Sequence, residues 1–262
     1  NGNIANMYYN NERKNTYIVT ECIIVIRKWL TLISLFIFSQ IIWIHSVNAN
    51  QTDLQLKTDS SILMEATTGS ILYEHNSNQR KYPASVTKIA TAIYAIENAN
   101  LDDIVTVSEN ARYAKGTRVY LEAGEQVTLE KLLYGLMINS GNDAAVAIAE
   151  HISGTEEQFA IDLTNYLIEK TGIQNTNFTN SSGLFDENHY STAYDLATIV
   201  QYAMKNETFM KFYNAKELRW IGESWDTTIV SHHRLVNGEI PYEGITGGKN
   251  GYVPQARYTL AT

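Results

Sequence analysis

"YPASVTKIATAIYAIE", Tyr82–Glu97, places one charged side chain inside an apolar helical pattern. Pro83 suits the first turn of a helix, where its missing N–H costs nothing, and apolar residues recur at helical spacing over Ile89–Ile96. After Lys88 no charge follows until Glu97, so the helix is predicted to lie inside a domain. A lysine that enters a core needs a chemical reason.

The spacing of Ser85 and Lys88 indicates such a reason. Residues three apart on a helix are neighbours, so the lysine amine can reach the serine hydroxyl. A serine becomes nucleophilic when a base takes its proton, and burial makes lysine lose its charge more readily. The pattern alone is weak, since on the order of one Ser-x-x-Lys arises by chance in a chain this long. The alternatives are that Lys88 extends to solvent or pairs with a carboxylate.

Composition limits the function classes. The 262 residues are 44% hydrophobic and 18% charged, which is typical of a globular protein with one large or two small domains. A net charge of −8, without any Lys/Arg-rich run, argues against a nucleic-acid partner. The single cysteine, Cys22, precedes the globular part, which therefore has neither a disulfide nor a cysteine metal site. The six histidines lack metal-ligand spacing, so no metal is predicted.

The N-terminal part predicts secretion. A basic pair precedes the apolar run Trp29–Ile44, and "HSVNAN" follows with small residues where signal peptidase cuts, after Ala49. We predict a signal peptide at 27–49 and an extracytoplasmic domain at 50–262; an uncleaved membrane anchor is the alternative. Residues 1–26 do not begin with Met and are predicted to be misassigned or partial coding sequence.

Turn, cap and periodicity signals give the element order. They predict strands at Ile62–Glu65 and Ile71–Glu74, helices that begin near Pro83, Thr128, Asp143, Thr155 and Thr192, a helix end at Gly172, and a strand-like tail from Leu218. Strands therefore come first, then helices, then strands. This order predicts an α+β fold with an antiparallel sheet flanked by a helical subdomain.

Two further motifs join the Ser-x-x-Lys pattern. Ser140–Asn142 forms a polar corner between two apolar helices, although helix capping alone would explain it. A lysine followed two residues later by glycine occurs at Lys170–Gly172 and at Lys249–Gly251. The first ends a helix, where lysine and glycine are expected as capping residues. The second opens a strand after two glycines, so a ligand backbone can approach it closely.

Together the three motifs match the signature of penicillin-binding proteins and class A β-lactamases. Beyond them, "YLEAGEQVTLEKLLYGLMINSGNDAAVAIAEHISG" and "FTNSSGLFDENHYSTAYDLATIV" closely resemble the serine D-alanyl-D-alanine carboxypeptidases, the low-molecular-mass penicillin-binding proteins. The resemblance runs from about Ser61 to the last residue. A class A β-lactamase also needs a glutamate for its deacylating water, and no Glu-x-x-Leu-Asn stretch lies between Asn142 and Lys249.

The resemblance implies a role for each motif residue. Ser85 would take the acyl group from the D-Ala-D-Ala end of a peptidoglycan stem peptide, and Lys88 would be its base. Ser140 would relay a proton to the leaving D-alanine, and Asn142 would hold the substrate amide. Lys249 would bind the terminal carboxylate, and its charge would keep Lys88 neutral.

The resemblance also implies an oxyanion hole made of the backbone N–H groups of Ser85 and Tyr252. Gly251, the last residue of the Lys249–Gly251 motif, directly precedes Tyr252 and is assigned to the substrate-binding residues. Asn250 stands where the family usually has threonine, and its amide can still donate to a carboxylate. No cofactor is implied, and β-lactams are the expected inhibitors. Two alternatives remain: a β-lactam sensor without turnover, and an endopeptidase that cuts cross-links.

The resemblance further predicts a β-lactamase/transpeptidase-like fold and a location in the bacterial cell envelope. The family's remaining strand and C-terminal helix are expected beyond Thr262, so the domain at 50–262 is predicted to be incomplete, poorly soluble and feebly reactive. Membrane association through an uncleaved leader or a further C-terminal segment is left open.

Overall fold

The computed structural model describes residues 27–34 and 56–262. The chain divides into two units, Asn1–Gln55 and Leu56–Thr262. In the first unit, residues 27–34 are helical and exposed. The predicted upstream segment at 1–26, most of the predicted signal peptide and its cleavage site lie outside the described residues. Across the described ranges, no helix has the length and apolar character needed to cross a bilayer.

The second unit contains four antiparallel hairpins. Their strands are β1 (Ser61–Met64) with β2 (Ile71–His75), β3 (Ile104–Thr106) with β4 (Gln126–Thr128), β5 (Glu217–Ile221) with β6 (Asp226–Val230), and β7 (Lys249–Val253) with β8 (Arg257–Ala261). The predicted α+β class is confirmed. Within 56–262, however, the strands form four two-stranded sheets rather than the one sheet we expected from their order.

The helices lie mainly between the second and third hairpins. They are α1 (Thr87–Asn98), α2 (Glu109–Arg112), α3 (Leu129–Ile138), α4 (Asn142–Ser153), α5 (Glu156–Thr171), α6 (Ala193–Ala203) and α7 (Glu207–Tyr213). A 3-10 turn, Ala84–Val86, precedes α1. The sequence predicted five of these helices and missed the short α2 and α7.

Capping decides where the predicted helices begin. The hydroxyls of Thr128, Thr155 and Thr192 each accept the backbone N–H three residues on. The predicted capping box at Thr155 is only half formed. The Gln158 side chain does not bond back to the Thr155 N–H, because its amide donates to Asp162 instead. Helix α5 ends as predicted at Gly172, whose φ of +73° is the left-handed conformation that favours glycine.

Helix α1 is the centre of the fold. It contacts α3, α4, α5, α6 and α7, and every residue from Thr87 to Ala95 is buried. The terminal hairpins pack on different parts of this helical body. Gln201 of α6 donates to the Ala66 carbonyl beside β1, whereas Thr259 of β8 donates to the Pro83 carbonyl. The second attachment places β7 and β8 against the 3-10 turn before α1, and Lys88, in the first turn of α1, is fully buried.

Candidate active site

Lys88 is the centre of the site. Its Nζ atom lies 3.2 Å from Ser85 Oγ, 2.7 Å from Asn142 Oδ1 and 2.6 Å from the Ser182 carbonyl oxygen. The side chain is 0% exposed. Two of the predicted motifs therefore meet at one buried amine, and a third segment that the sequence analysis did not assign completes its contacts.

The protonation state of this amine follows from its surroundings. Burial first, and then the charge of Lys249, hold the pKa of Lys88 well below its usual value. A neutral amine has two N–H groups and one lone pair. The Ser182 carbonyl can only accept a hydrogen bond, and Asn142 turns its oxygen to Lys88 because its Nδ2 donates to the Lys115 carbonyl at 2.6 Å. The lone pair is left for the Ser85 hydroxyl.

The backbone around Ser85 is tightly fixed. Ala84 has a φ of +49°, which is uncommon for a residue with a side chain, and Ser85 follows it in the 3-10 turn. Gly183 packs on the Ala84 carbonyl so closely that a Cβ atom there would overlap it. From the opposite side, a Cβ on Gly251 would lie 2.7 Å from the Ser85 backbone nitrogen. Strand β7 thus runs beside the Ser85 N–H.

Lys249, the first residue of β7, is a second buried amine. It is 1% exposed, and its Nζ donates to the carbonyl of its neighbour Asn250 at 2.7 Å. Burial lowers the pKa of Lys249 to about 7. No carboxylate of the described ranges lies within ion-pair distance of it. Within the described ranges, its one hydrogen-bond partner is therefore a backbone carbonyl.

Ser140 lies at the corner between α3 and α4. It is buried with a φ of +58°, and its hydroxyl has no hydrogen-bond partner among residues 27–34 and 56–262. Asn142 begins α4, and its N–H donates to the Thr117 carbonyl at 2.7 Å. The motif is in place, but only Asn142 is bonded to Lys88.

Asp143 anchors this corner and was missed by the sequence analysis. Its carboxylate accepts the N–H groups of Val119 (3.0 Å), Leu121 (3.2 Å) and Ala144 (2.9 Å). Burial raises the pKa of Asp143, although these hydrogen bonds oppose that shift. The loop 117–121 and the start of α4 are therefore joined through one side chain.

The remaining predicted residues, Asn250 and Tyr252, lie on β7. Asn250 is half-buried, while Tyr252 is 56% exposed and packs on the ring of Tyr258 at a centroid distance of 5.0 Å. The rejected alternative, Lys170, is exposed at the end of α5, where it pairs with Glu169 at 3.6 Å. Of the two lysine-glycine motifs, only the one on β7 adjoins Ser85.

The role of the segment that carries Ser182 was not predicted from the sequence. Its residues, "NSSG", indicate only a turn, and the sequence does not report the direction in which a backbone carbonyl points. Nearby, His189 is buried against Thr87 at 2.9 Å, and burial lowers the pKa of His189 to about 4. Since its Nδ1 accepts the Thr179 N–H, the neutral ring carries its proton on Nε2 and donates to Thr87.

Comparison with known proteins identifies similar chains. The family model for peptidase S11, described as D-alanyl-D-alanine carboxypeptidase, matches residues 46–262. The D-alanyl-D-alanine carboxypeptidase DacF of Bacillus subtilis (strain 168) is 39% identical over 216 residues, which are 80% of this chain and 54% of that protein. DacA of Haemophilus influenzae is 33% identical over 226 residues, with the same two coverages. The chain thus spans about half the length of these curated relatives.

Solved structures agree with this match. The D-alanyl-D-alanine carboxypeptidase of Mycobacterium tuberculosis H37Rv has a TM-score of 0.72 at 28% identity, over 77% of this chain and 75% of that one. Penicillin binding protein 5 of Haemophilus influenzae has a TM-score of 0.70 at 31% identity, over 78% and 60%.

Proposed function

Because this chain belongs to the D-alanyl-D-alanine carboxypeptidase family, peptidase S11, we propose that it is part of a serine carboxypeptidase that removes the terminal D-alanine of peptidoglycan stem peptides. The observation that carries the proposal is the contact of 3.2 Å between Lys88 Nζ and Ser85 Oγ inside an enclosed hydrogen-bond network. A buried amine with its lone pair on a serine hydroxyl is the arrangement that an acyl-transfer nucleophile requires.

In the first step Ser85 Oγ attacks the carbonyl carbon of the bond between the two D-alanines, and its proton passes to Lys88. The C–N bond breaks, and the leaving amine takes, through Ser140, the proton that Lys88 had accepted, so that Lys88 is neutral again. An acyl-enzyme ester remains on Ser85. Water then attacks this ester with Lys88 as the base, which releases the shortened peptide and restores the serine.

The oxyanion of each tetrahedral intermediate needs two donors. We assign the backbone N–H groups of Ser85 and Tyr252 to this role. The close approach of Gly251 to the Ser85 nitrogen supports the assignment, because it brings the next peptide of β7 beside that N–H.

Substrate binding is assigned to the polar groups that line the cleft. Lys249 takes the terminal carboxylate, since it is a buried amine with only a carbonyl as its present partner. Asn250, which replaces the usual threonine, donates its amide to the same carboxylate. Asn142 holds the substrate amide while its oxygen stays on Lys88.

Mass spectrometry after incubation with penicillin tests the proposal. The lactam carbonyl mimics the scissile amide, so an intact protein that contains this chain should gain one penicillin mass on the peptide that contains Ser85, and its Ser85→Ala variant should not. Labelling that persists in Ser85→Ala would remove the nucleophile assignment.

Two other functions use the same acylation. A β-lactam sensor would acylate without turnover, and steady-state release of D-alanine from a pentapeptide separates it from a carboxypeptidase. A DD-endopeptidase performs the same reaction on a branched, cross-linked peptide, which a muropeptide digest would reveal.

The proposed substrate, peptidoglycan, lies outside the cytoplasm, which supports a location in the bacterial cell envelope. We therefore retain the signal peptide at 27–49 and the catalytic domain at 50–262 as parts of the proposal. N-terminal sequencing of the secreted protein tests them: Asn50 as the first residue supports cleavage, and an intact leader supports a membrane anchor.

A further inference from the structure

The shortest contact of Lys88 is with a group outside the three motifs. The Ser182 carbonyl accepts from Nζ at 2.6 Å across 94 positions of sequence. A carbonyl oxygen has no proton to give, so this contact always uses one N–H of the amine. Whether the lone pair of Lys88 faces Ser85 therefore depends on where this carbonyl points.

The Asn180 side chain controls that direction. Its Oδ1 accepts the Gly183 N–H at 2.7 Å and the Ser182 N–H at 3.2 Å, while its Nδ2 donates to the Leu184 carbonyl at 3.0 Å. The Gly183 N–H and the Ser182 C=O belong to one planar trans peptide, in which the two groups point in opposite directions. A side chain that holds the N–H on one side therefore aims the carbonyl to the other, toward Lys88.

The rest of the loop is anchored independently of Asn180. Glu156 accepts the N–H of Ser181 at 3.0 Å and its hydroxyl at 2.5 Å, and Thr91 donates to the Ser181 carbonyl at 2.6 Å. Gly183 packs against the Ala84 carbonyl. The loop is thus held at Ser181 and at Gly183. The peptide plane between Ser182 and Gly183 could still rotate, and the hydrogen bonds to Asn180 prevent this rotation.

We propose that Asn180 is a positioning residue for acylation: it fixes the peptide plane that aims the Ser182 carbonyl at Lys88, and so directs the lone pair of the amine to Ser85. The inference rests on the proposed function of the Ser85 site. Without Asn180 the peptide can turn, and Lys88 can then point an N–H at the hydroxyl it should deprotonate. Lys249 is untouched, so substrate binding should survive.

The test uses the intact protein that contains this chain and a fluorescent penicillin. It measures the dissociation constant K of the non-covalent complex and the acylation rate constant k2. Asn180→Ala should lower k2 by about ten- to a hundredfold and leave K within about twofold, because a group is misaimed and no ligand contact is lost. Asn188→Ala is the matched control, since this exposed side chain of the same segment makes no hydrogen bond within the described residues, and it should stay within about threefold in both constants. Asn180→Asp keeps an acceptor for both N–H groups and should recover most of k2 on the high-pH plateau.

Three results would overturn the inference. One is a folded Asn180→Ala variant whose k2 lies within about threefold of the unsubstituted chain. The second is an equal loss of k2 in Asn188→Ala, which would show a general effect of disturbing the loop. The third result applies if circular dichroism shows that Asn180→Ala does not fold. In that case Asn180→Asp tests the inference, and a roughly tenfold lower high-pH plateau of k2 in that variant would contradict it. Failure of the unsubstituted intact protein to acylate at Ser85 would instead overturn the proposed function.

Discussion

Replacing Gly251 by alanine should separate the two walls of the cleft. A Cβ atom at this position would lie 2.7 Å from the Ser85 nitrogen, 2.5 Å from Thr259 Oγ1 and 3.1 Å from Ala84 Cβ. The Thr259 hydroxyl cannot simply turn away without releasing the Pro83 carbonyl, to which it donates at 2.9 Å. The added methyl group must therefore push β7 away from the turn that carries Ser85.

The size of the displacement follows from these contacts. Ordinary van der Waals contact begins near 3.4 Å, so the gap at the Ser85 nitrogen must open by about 0.7 Å. A displacement of about 1 Å between catalytic groups costs on the order of a hundredfold in rate. We expect Gly251→Ala to lower k2/K for penicillin by about thirty- to a hundredfold.

Fluorescent-penicillin acylation, followed in a gel or by stopped flow, measures this ratio. Gly244→Ala is the matched control: Gly244 has a φ of +92° and no atom within 4 Å of an added Cβ, so it tests backbone strain away from the cleft. It should keep normal acylation. If a folded Gly251→Ala variant acylates within about threefold of the unsubstituted rate, then the close approach of β7 to Ser85 does not limit the reaction.

Three further predictions concern the lysines. Lys88→Arg should reduce acylation to near background because arginine stays charged, and near-normal labelling of this variant would require another base. The pH profile of k2/K for a peptide substrate should be bell-shaped: it rises as the depressed pKa of Lys88 is passed and falls above about 7, where Lys249 loses the charge that binds the carboxylate. A profile that keeps its falling limb in Lys249→Ala would contradict that assignment. Lys249→Ala should impair peptide hydrolysis by at least about tenfold, while Lys170→Ala should not, and the reverse result would identify the helix-end motif as the functional one.

The sequence predicted the local features of the fold well, because they depend on near neighbours. Thr128, Thr155 and Thr192 each cap the helix that follows, and the spacing of Ser85 and Lys88 brings their side chains together as helical geometry requires. The family resemblance drawn from the motifs is confirmed by the match over residues 46–262.

Features that depend on distant contacts were not predictable in the same way. The expected single sheet requires contact between the two ends of the chain. Instead, the first hairpin is bonded to α6 and the last hairpin to Pro83, just before the 3-10 turn. The Ser182 carbonyl reaches Lys88 from 94 positions away, and neither hydropathy nor spacing reports the direction of a peptide plane. Asp143 was missed because its partners are backbone N–H groups of another loop.

The enclosure of Lys88 also decides how this protein will respond to chemical labelling. Uncharged lysines are usually the first that amine-directed electrophiles modify, since only the free base is nucleophilic. Here the uncharged lysine is 0% exposed, whereas an ordinary lysine such as Lys170 is open to solvent. Soluble activated esters should therefore mark Lys170 and pass over Lys88. A proteomic survey that ranks lysines by reactivity would therefore not detect the proposed general base. Only a probe that first binds at the site as a substrate mimic would come near it.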